Sequence, residues 1–182
     1  MAHGILVAFP GTGYTCKEPL IAACVARYRA FGYDTVCLDP SSIPFKQIET
    51  VDEAVERAKP LIRAQLSGVR FDGYRDVVLL SKSLGTICAG WLVQALGLRA
   101  RQLYLTPVRE ALPYIGPETR IMGMVIGTEG RLMDAREIET LCAARRAPCL
   151  VIPGVGHSLK AADDAQRTAE INRAILELCT PL

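Results

Sequence analysis

The sequence predicts a three-layer α/β/α sandwich, in which helices cover both faces of a mainly parallel sheet of about six strands. Two observations predict this fold class. Short apolar runs bounded by glycine, proline or aspartate alternate along the whole chain with stretches of helical periodicity. Half of the 182 residues are apolar, which is enough to bury a core on each face of a sheet. No linker or repeat divides the chain, so we expect one domain over residues 1–182, without a lid.

The predicted strands are apolar runs of four to six residues without a regular alternation of polar side chains. Such runs are typical of strands that are covered on both faces. In chain order they are residues 4–9, 35–38, 76–80, 102–105, 121–126 and 149–152.

The predicted helices lie between these strands and place apolar residues three and four positions apart. They are residues 19–31, 51–66, 84–96, 135–146 and 162–178. Thr50 followed by Glu53 is a typical start signal for the second helix. Between positions 106 and 119, three prolines leave room for only a turn or two of helix.

Composition excludes several classes of function. The net charge is +2 and the basic residues are scattered among acidic ones, so we expect no nucleic-acid partner. No apolar run approaches the ~20 residues of a membrane span. The seven cysteines lack metal-ligand spacing, so we expect reduced thiols and no metal, and the start of the chain lacks a signal-peptide pattern. We therefore expect a cytoplasmic protein, and the sequence leaves a homodimer open.

The candidate nucleophile is Ser83. The third predicted strand runs into Ser-Lys-Ser-Leu-Gly-Thr at positions 81–86, and a helix follows at once. A sharp strand-to-helix turn lifts a hydroxyl clear of the sheet, where a base can activate it, and Gly85 lets this turn close. Alternatively, Ser83 is only a small residue or an N-cap in a tight turn. We expect Lys82 to point to solvent or to pair with a surface carboxylate.

The candidate general base is His157. It follows the last predicted strand in Pro-Gly-Val-Gly-His-Ser at positions 153–158, and the only other histidine, His3, lies near the N-terminus. Because ligands bind at the carboxyl ends of strands in open parallel sheets, this loop and the turn at Ser83 are expected at the same edge. The alternative is an ordinary loop histidine.

Two backbone N–H groups are candidates for stabilising an oxyanion. The N–H of Leu84 lies at the positive end of the helix after Ser83. A second donor is expected at Thr12 or a neighbour, in the glycine-rich segment at positions 10–15. That segment lacks the lysine and hydroxyl of a phosphate loop, so we expect no nucleotide or other cofactor.

The strand pattern, the turn at Ser83 and the late Gly-Val-Gly-His at positions 154–157 resemble the α/β-hydrolase superfamily in a minimal, lidless form. The opening Pro-Gly-Thr-Gly-Tyr-Thr-Cys at positions 10–16 is similar to that of small bacterial members. The resemblance spans essentially the whole chain. It implies strand order 2-1-3-4-5-6 and a triad in the chain order nucleophile, acid, histidine. Ser81 departs from it, since the pattern G-x-S-x-G has glycine there.

The triad acid is the second departure. The resemblance implies G-x-x-D after the fifth strand, but the last position of that pattern is glycine here. Asp134 and Glu129 are the nearby candidates, and Glu110 is a more distant third. The alternatives are that Asp134 forms a capping box with Glu137 and that Glu129 is a solvated loop carboxylate.

These residues predict a serine hydrolase that acts on an ester, thioester or similar acyl bond of a small-molecule substrate. A displaced or missing acid would make such an enzyme slow. The alternative is a hydrolase-like binding protein that is catalytically weak or inactive. A third hypothesis is a flavodoxin-like nucleotide binder.

Overall fold

The structure is a computed structural model that describes residues 4–182, so His3 lies outside the described residues. Within them, one sheet has the strand order β2-β1-β3-β4-β5-β6, and every neighbouring pair of strands is parallel. The strands are β1 (Gly4–Phe9), β2 (Asp34–Cys37), β3 (Asp76–Ser83), β4 (Ala100–Pro107), β5 (Arg120–Gly127) and β6 (Cys149–Ile152). The predicted strand order is confirmed.

Five α-helices of the described residues connect or follow these strands. They are α1 (Pro19–Ala30), α2 (Val51–Gln65), α3 (Leu84–Leu96), α4 (Ala135–Arg145) and α5 (Ala165–Leu176). A 3-10 helix at Arg109–Tyr114 fills the proline-rich segment between β4 and β5, as the prolines predict.

Helices cover both faces of the sheet because its strands alternate their side chains. In β3, Val77 and Leu79 pack in a core cluster with α2 and α3. Val78 and Leu80 belong to a second cluster, which is covered by α1 and α5. A third cluster joins β4 and β5 to α4. The predicted three-layer sandwich is therefore confirmed.

Two boundaries differ by three residues from those that the sequence predicts, and the others differ by at most two. Strand β3 continues through Ser83 instead of ending at Leu80, because Ser81 and Lys82 stay paired with β4 although they are polar. Helix α5 begins at Ala165, three residues later than predicted, because the Asp164 side chain accepts a hydrogen bond from the Arg167 N–H and caps the helix there.

No helix within residues 4–182 has the length and apolar character that a bilayer crossing requires.

Candidate active site

Ser83 ends β3 and immediately precedes α3, with φ 53° and ψ −126°. A positive φ is costly for a residue with a side chain, by about 1–3 kcal/mol, and such strain concentrates at functional sites. The Ser83 side chain makes no capping hydrogen bond to α3. This backbone is therefore a strained strand-to-helix turn, and the alternative of Ser83 as a helix cap is not supported.

Two glycines allow the chain to pass close to this turn. A methyl group built at Gly11, in the loop after β1, would lie 2.9 Å from the Ser83 Cβ and 3.5 Å from its Oγ. One built at Gly85 would overlap the carbonyl oxygen of Phe9. The turn at Ser83 and the β1 loop are thus held together at positions where side chains do not fit.

A cleft of about 250 Å³ opens beside Ser83 and is bordered by the β1 loop, the start of α2 and the end of β4. Thr12, Ser83 and Leu84 line it together. Most of its remaining wall is apolar: Phe45, Ile48, Val51, Ala54, Val108 and Leu132. Among the described residues that line the cleft, Glu49 alone carries a charge.

Both predicted oxyanion donors border this cleft. Leu84 is the first residue of α3, where backbone N–H groups lack partners within the helix. Thr12 lies in a tight turn that is closed by a 3.4 Å hydrogen bond from the Tyr14 N–H to the Gly11 carbonyl, with Gly13 at φ 68°. The structure thus brings Ser83, Leu84 and Thr12 to one cavity.

His157 lies in the loop after β6. This loop is tied to the loop after β5 by a 2.9 Å hydrogen bond from the Glu129 N–H to the Val155 carbonyl. The imidazole Nε2 is buried and makes no hydrogen bond to any described residue. Burial of the ring, and then the charge of Lys82, lower the pKa of His157 from 6.5 to about 4. The imidazole is therefore neutral at physiological pH, as a general base requires.

His157 does not line the cleft at Ser83, and no direct hydrogen bond joins Ser83 Oγ to the imidazole within residues 4–182. A hydrogen bond from a side chain nevertheless ties the loop of His157 to the end of β3. The side chain of Lys82, which precedes Ser83, donates a 2.6 Å hydrogen bond to the His157 carbonyl. The nucleophile and base candidates therefore share one edge of the sheet.

The candidate acids are placed differently from a triad carboxylate. Asp134 is exposed, and its Oδ1 accepts a 2.8 Å hydrogen bond from the Arg136 N–H at the start of α4. Glu129 is exposed and its Oε1 lies 3.5 Å from the Thr128 hydroxyl. Neither is hydrogen-bonded to the His157 ring in the part of the chain that the structure describes. The capping alternative accounts for Asp134, and a catalytic role for either carboxylate stays a prediction.

Comparison with known proteins agrees with this architecture. No protein-family model and no curated protein matches the sequence. A hydrolase of the α/β superfamily from Xanthomonas campestris pv. campestris shares 20% identity and a TM-score of 0.63, with 98% of each chain covered.

Two further solved structures are similar over almost the entire chain. A lidless α/β serine hydrolase from Xanthomonas campestris has a TM-score of 0.62 at 11% identity, covering 98% of this chain and 81% of its own. Est1E from Butyrivibrio proteoclasticus, solved with ferulic acid bound, has a TM-score of 0.67 at 11% identity, covering 96% and 87%. This chain has the α/β-hydrolase fold. The resemblance predicted from the sequence is thus confirmed for the fold.

Ser81 stands where the α/β-hydrolase pattern has the first glycine of the turn, and its neighbour β4 accommodates it. Ser81 is fully buried in β3, and its hydroxyl lies 3.4 Å from the carbonyl oxygen of Leu103 on β4. A small polar side chain therefore fits at this position, because a carbonyl of the neighbouring strand accepts the hydrogen bond of its hydroxyl.

The prediction for Lys82 was wrong. Its side chain is 2% exposed, because β3 continues past Leu80 and the alternation of the strand directs Lys82 into the layer beneath α1 and α5. Its Nζ donates hydrogen bonds to Thr106 Oγ1 at 2.8 Å and to the His157 carbonyl at 2.6 Å. Burial, followed by the charge of Lys160, lowers the pKa of Lys82 to about 8. Counting the strand two residues further could have revealed this, since Val78, Leu80 and Lys82 share one face.

Proposed function

We propose that the protein is a serine hydrolase that cleaves an ester, thioester or similar acyl bond, with Ser83 as nucleophile and His157 as general base. The observation that carries the proposal is the strained backbone of Ser83, which borders a mainly apolar cleft together with Thr12 and Leu84. A positive φ at a serine between a parallel strand and a helix is the geometry that a nucleophilic hydroxyl needs.

In this mechanism His157 accepts the Ser83 hydroxyl proton as Oγ attacks the substrate carbonyl carbon. The N–H groups of Leu84 and Thr12 stabilise the oxyanion. The oxyanion then collapses and the bond to the leaving group breaks as His157 gives that group the proton. In the second half His157 takes a proton from water, which attacks the acyl carbon, and returns it to Ser83 Oγ as the carboxylic acid leaves. The hydrogen bond between serine and histidine is often long in unliganded enzymes and tightens when substrate binds.

The cleft indicates the type of acyl group that fits. Its wall is mainly apolar, and the one charged side chain among the described residues that line it, Glu49, is acidic. Burial of apolar acyl carbons in such a wall contributes about 25 cal/mol for each Å² removed from water. We therefore propose that the preferred substrates carry neutral, apolar acyl groups of a size that about 250 Å³ can hold.

Labelling with a fluorophosphonate probe tests the proposed nucleophile. We expect wild type to be labelled and Ser83→Ala to be unlabelled, with the modified peptide mapping to Ser83. Ser158→Ala is the matched control, because Ser158 is an exposed serine next to His157 and should leave labelling unchanged. A folded wild-type protein that stays unlabelled would contradict the proposal.

A second candidate function is that of a hydrolase-like binding protein with little or no turnover. It is favoured by the placement of Asp134 and Glu129, neither of which is bonded to the imidazole in the described residues. A panel of short and medium p-nitrophenyl esters, assayed on wild type, Ser83→Ala, Glu129→Gln and Asp134→Asn, separates the two functions. Equal rates for all four proteins would support binding without catalysis.

A further inference from the structure

A buried lysine joins four segments at the carboxyl edge of the sheet. Lys82 extends from β3, and its Nζ contacts Thr106 at the end of β4 and the His157 carbonyl after β6. The same Nζ lies 4.8 Å from the centre of the Tyr14 ring in the loop after β1. The ammonium thus has two hydrogen-bond acceptors and one aromatic ring as neighbours.

The Thr106 contact depends on an irregular backbone. Lys82 pairs with Leu105 and Ser83 with Pro107, so Thr106 is an extra residue on β4 directly opposite the nucleophile turn. Its φ is 42° although it is a β-branched residue, and it is 1% exposed. This strained backbone conformation places the Thr106 hydroxyl where it accepts a hydrogen bond from Lys82.

No carboxylate neutralises this ammonium, since Lys82 forms no salt bridge with any residue that the structure describes. Burying an ionised amine without an ion-pair partner is costly. Such a group does not stabilise the fold as well as an apolar side chain of similar volume would. Its presence one residue before the candidate nucleophile therefore points to a role in the site.

The charged and titratable groups around His157 come from several elements. Lys82 reaches it from β3, and Lys160 belongs to the histidine loop itself. The ring of Tyr14, from the β1 loop, lies against both ammonium groups, and its hydroxyl is buried. Lys160 is paired at 2.9 Å with Glu18, which precedes α1. Two further groups are Glu129, whose backbone N–H binds the loop from the β5 side, and Arg167 of α5, which donates to the Pro153 carbonyl.

We propose that Lys82 is the positioning residue for His157: its buried ammonium fastens the histidine loop to the ends of β3 and β4. This inference rests on the proposed function, because it assigns a role within that site. Lys82 would orient the loop through its backbone, whereas a triad carboxylate would orient the ring and stabilise its charged form.

The electrostatic consequence is opposite to that of a triad acid. A carboxylate raises the basicity of the histidine, whereas a nearby ammonium lowers it. Both burial and Lys82 depress the pKa of His157, to about 4. The base is weak but stays unprotonated in mildly acidic solution, so acylation of Ser83 should proceed at nearly full rate down to about pH 5.

Proton NMR tests the inference independently of activity. The chain has only two histidines, so the imidazole signals are few, and His157→Gln assigns them. We expect His157 to titrate near pH 4 in wild type. In Lys82→Met, which keeps the apolar stem but removes the charge, its midpoint should rise by about one unit. The control Lys160→Met removes an exposed, paired charge and should shift the midpoint by less than about 0.3 unit.

Amide hydrogen exchange tests the anchoring of the loop. In Lys82→Met the amides of residues 155–159 should exchange at least about tenfold faster than in wild type, whereas Lys160→Met should leave them unchanged. Thr106→Val keeps the ammonium and removes only one acceptor, so an intermediate rate is expected. If Lys82→Met does not fold, this milder variant still tests whether Lys82 anchors the histidine loop. Wild-type titration near 6.5, or loop exchange in Thr106→Val that equals wild type, would overturn the inference.

Fluorophosphonate labelling separates this inference from the proposed function. Lys82 does not line the cleft. Lys82→Met should therefore slow acylation of Ser83 about tenfold or more while KM for a p-nitrophenyl ester stays within about twofold. In Lys82→Met the fall of the labelling rate at acidic pH should begin at a higher pH, together with the titration midpoint of His157.

An unlabelled wild type that shows the expected NMR differences would contradict the proposed hydrolase function and leave the positioning role of Lys82 standing. Equal behaviour of Lys82→Met and Lys160→Met in every measurement would contradict the positioning role.

Discussion

At Gly11 the chain has no room for a side chain, and the reason lies in a residue 72 positions away. The Ser83 Cβ occupies the space that a methyl group at Gly11 would need. Such a crowded contact must be relieved by moving either the β1 loop, which carries Thr12, or the strained turn at Ser83. Both are parts of the proposed site.

Gly11→Ala is therefore expected to lower the rate of Ser83 labelling by about tenfold or more, since small displacements of reacting groups have large effects on rate. The rate constant for fluorophosphonate labelling measures this. Gly116→Ala is the control, because no atom lies within 4 Å of a methyl group built there. Equal labelling of Gly11→Ala and wild type would mean that the β1 loop is not part of the site.

Glu49 should influence which acyl groups the cleft accepts. Its carboxylate is the only charge among the described residues that line the cleft, so an anionic acyl group would be repelled by about 1 kcal/mol in an open, aqueous setting. Glu49→Gln should then raise kcat/KM for a succinyl ester about fivefold relative to a butyryl ester, and high salt should reduce the effect. The control is Glu53→Gln, since Glu53 lies on α2 but outside the cleft. This variant should leave the ratio of kcat/KM for the two esters unchanged.

At the scale of elements, β3 is anchored at both ends by polar side chains. Lys82 is at its carboxyl end, and Asp76 is at its amino end. Asp76 is 2% exposed and accepts hydrogen bonds from the Tyr33 hydroxyl at 2.6 Å and from the Arg101 guanidinium on β4. Burial raises the pKa of Asp76, but these hydrogen bonds outweigh it and the net pKa lies below the ordinary value.

Asp76→Ala should lower the free energy of unfolding by about 2–4 kcal/mol, because it leaves the largely buried Arg101 guanidinium without its carboxylate partner. Urea denaturation measures the loss. Asp72→Ala is the control: Asp72 is exposed and lies 3.6 Å from an exposed Arg70, so a change below about 1 kcal/mol is expected. A similar loss in both variants would argue against a special role for the buried pair.

At the scale of the whole molecule, the low pKa of His157 connects the site to stability. Between about pH 4 and 6.5 the unfolded chain binds a proton at this histidine and the folded chain does not. Stability therefore falls as pH drops through this interval. Because the ring is half-buried and partly screened by water, we expect a loss of about 1–2 kcal/mol rather than the full value of the shift.

Urea denaturation at pH 7 and at pH 4.5 measures this loss. His157→Gln cannot titrate, so its free energy of unfolding should fall less between these two conditions than that of wild type. The comparison cancels the contribution of His3 and of the carboxyl groups, which both proteins share. An equal fall in the two proteins would show that His157 has no depressed pKa in the folded state.

Local signals predicted most of the fold and the two main candidate residues. Apolar runs and helical spacing are properties of neighbouring residues, and they predicted the alternation of strands and helices. The turn at Ser83 and the glycine-rich segment before His157 are also local patterns, so these residues could be chosen before any packing was known. Strand ends were less predictable: β3 runs on through Ser81 and Lys82, because its neighbour β4 supplies their partners.

Which polar side chains meet was decided by tertiary structure. Lys82 bonds to Thr106, 24 positions away, and to His157, 75 positions away, through a bulge in β4 and a loop after β6. The positions of Asp134 and Glu129 relative to the imidazole likewise depend on how two loops pack. The sequence by itself determined the order of elements and where a nucleophile and a base could lie. Only the tertiary structure placed a buried ammonium beside that base, because burial and pairing depend on residues that are distant along the chain.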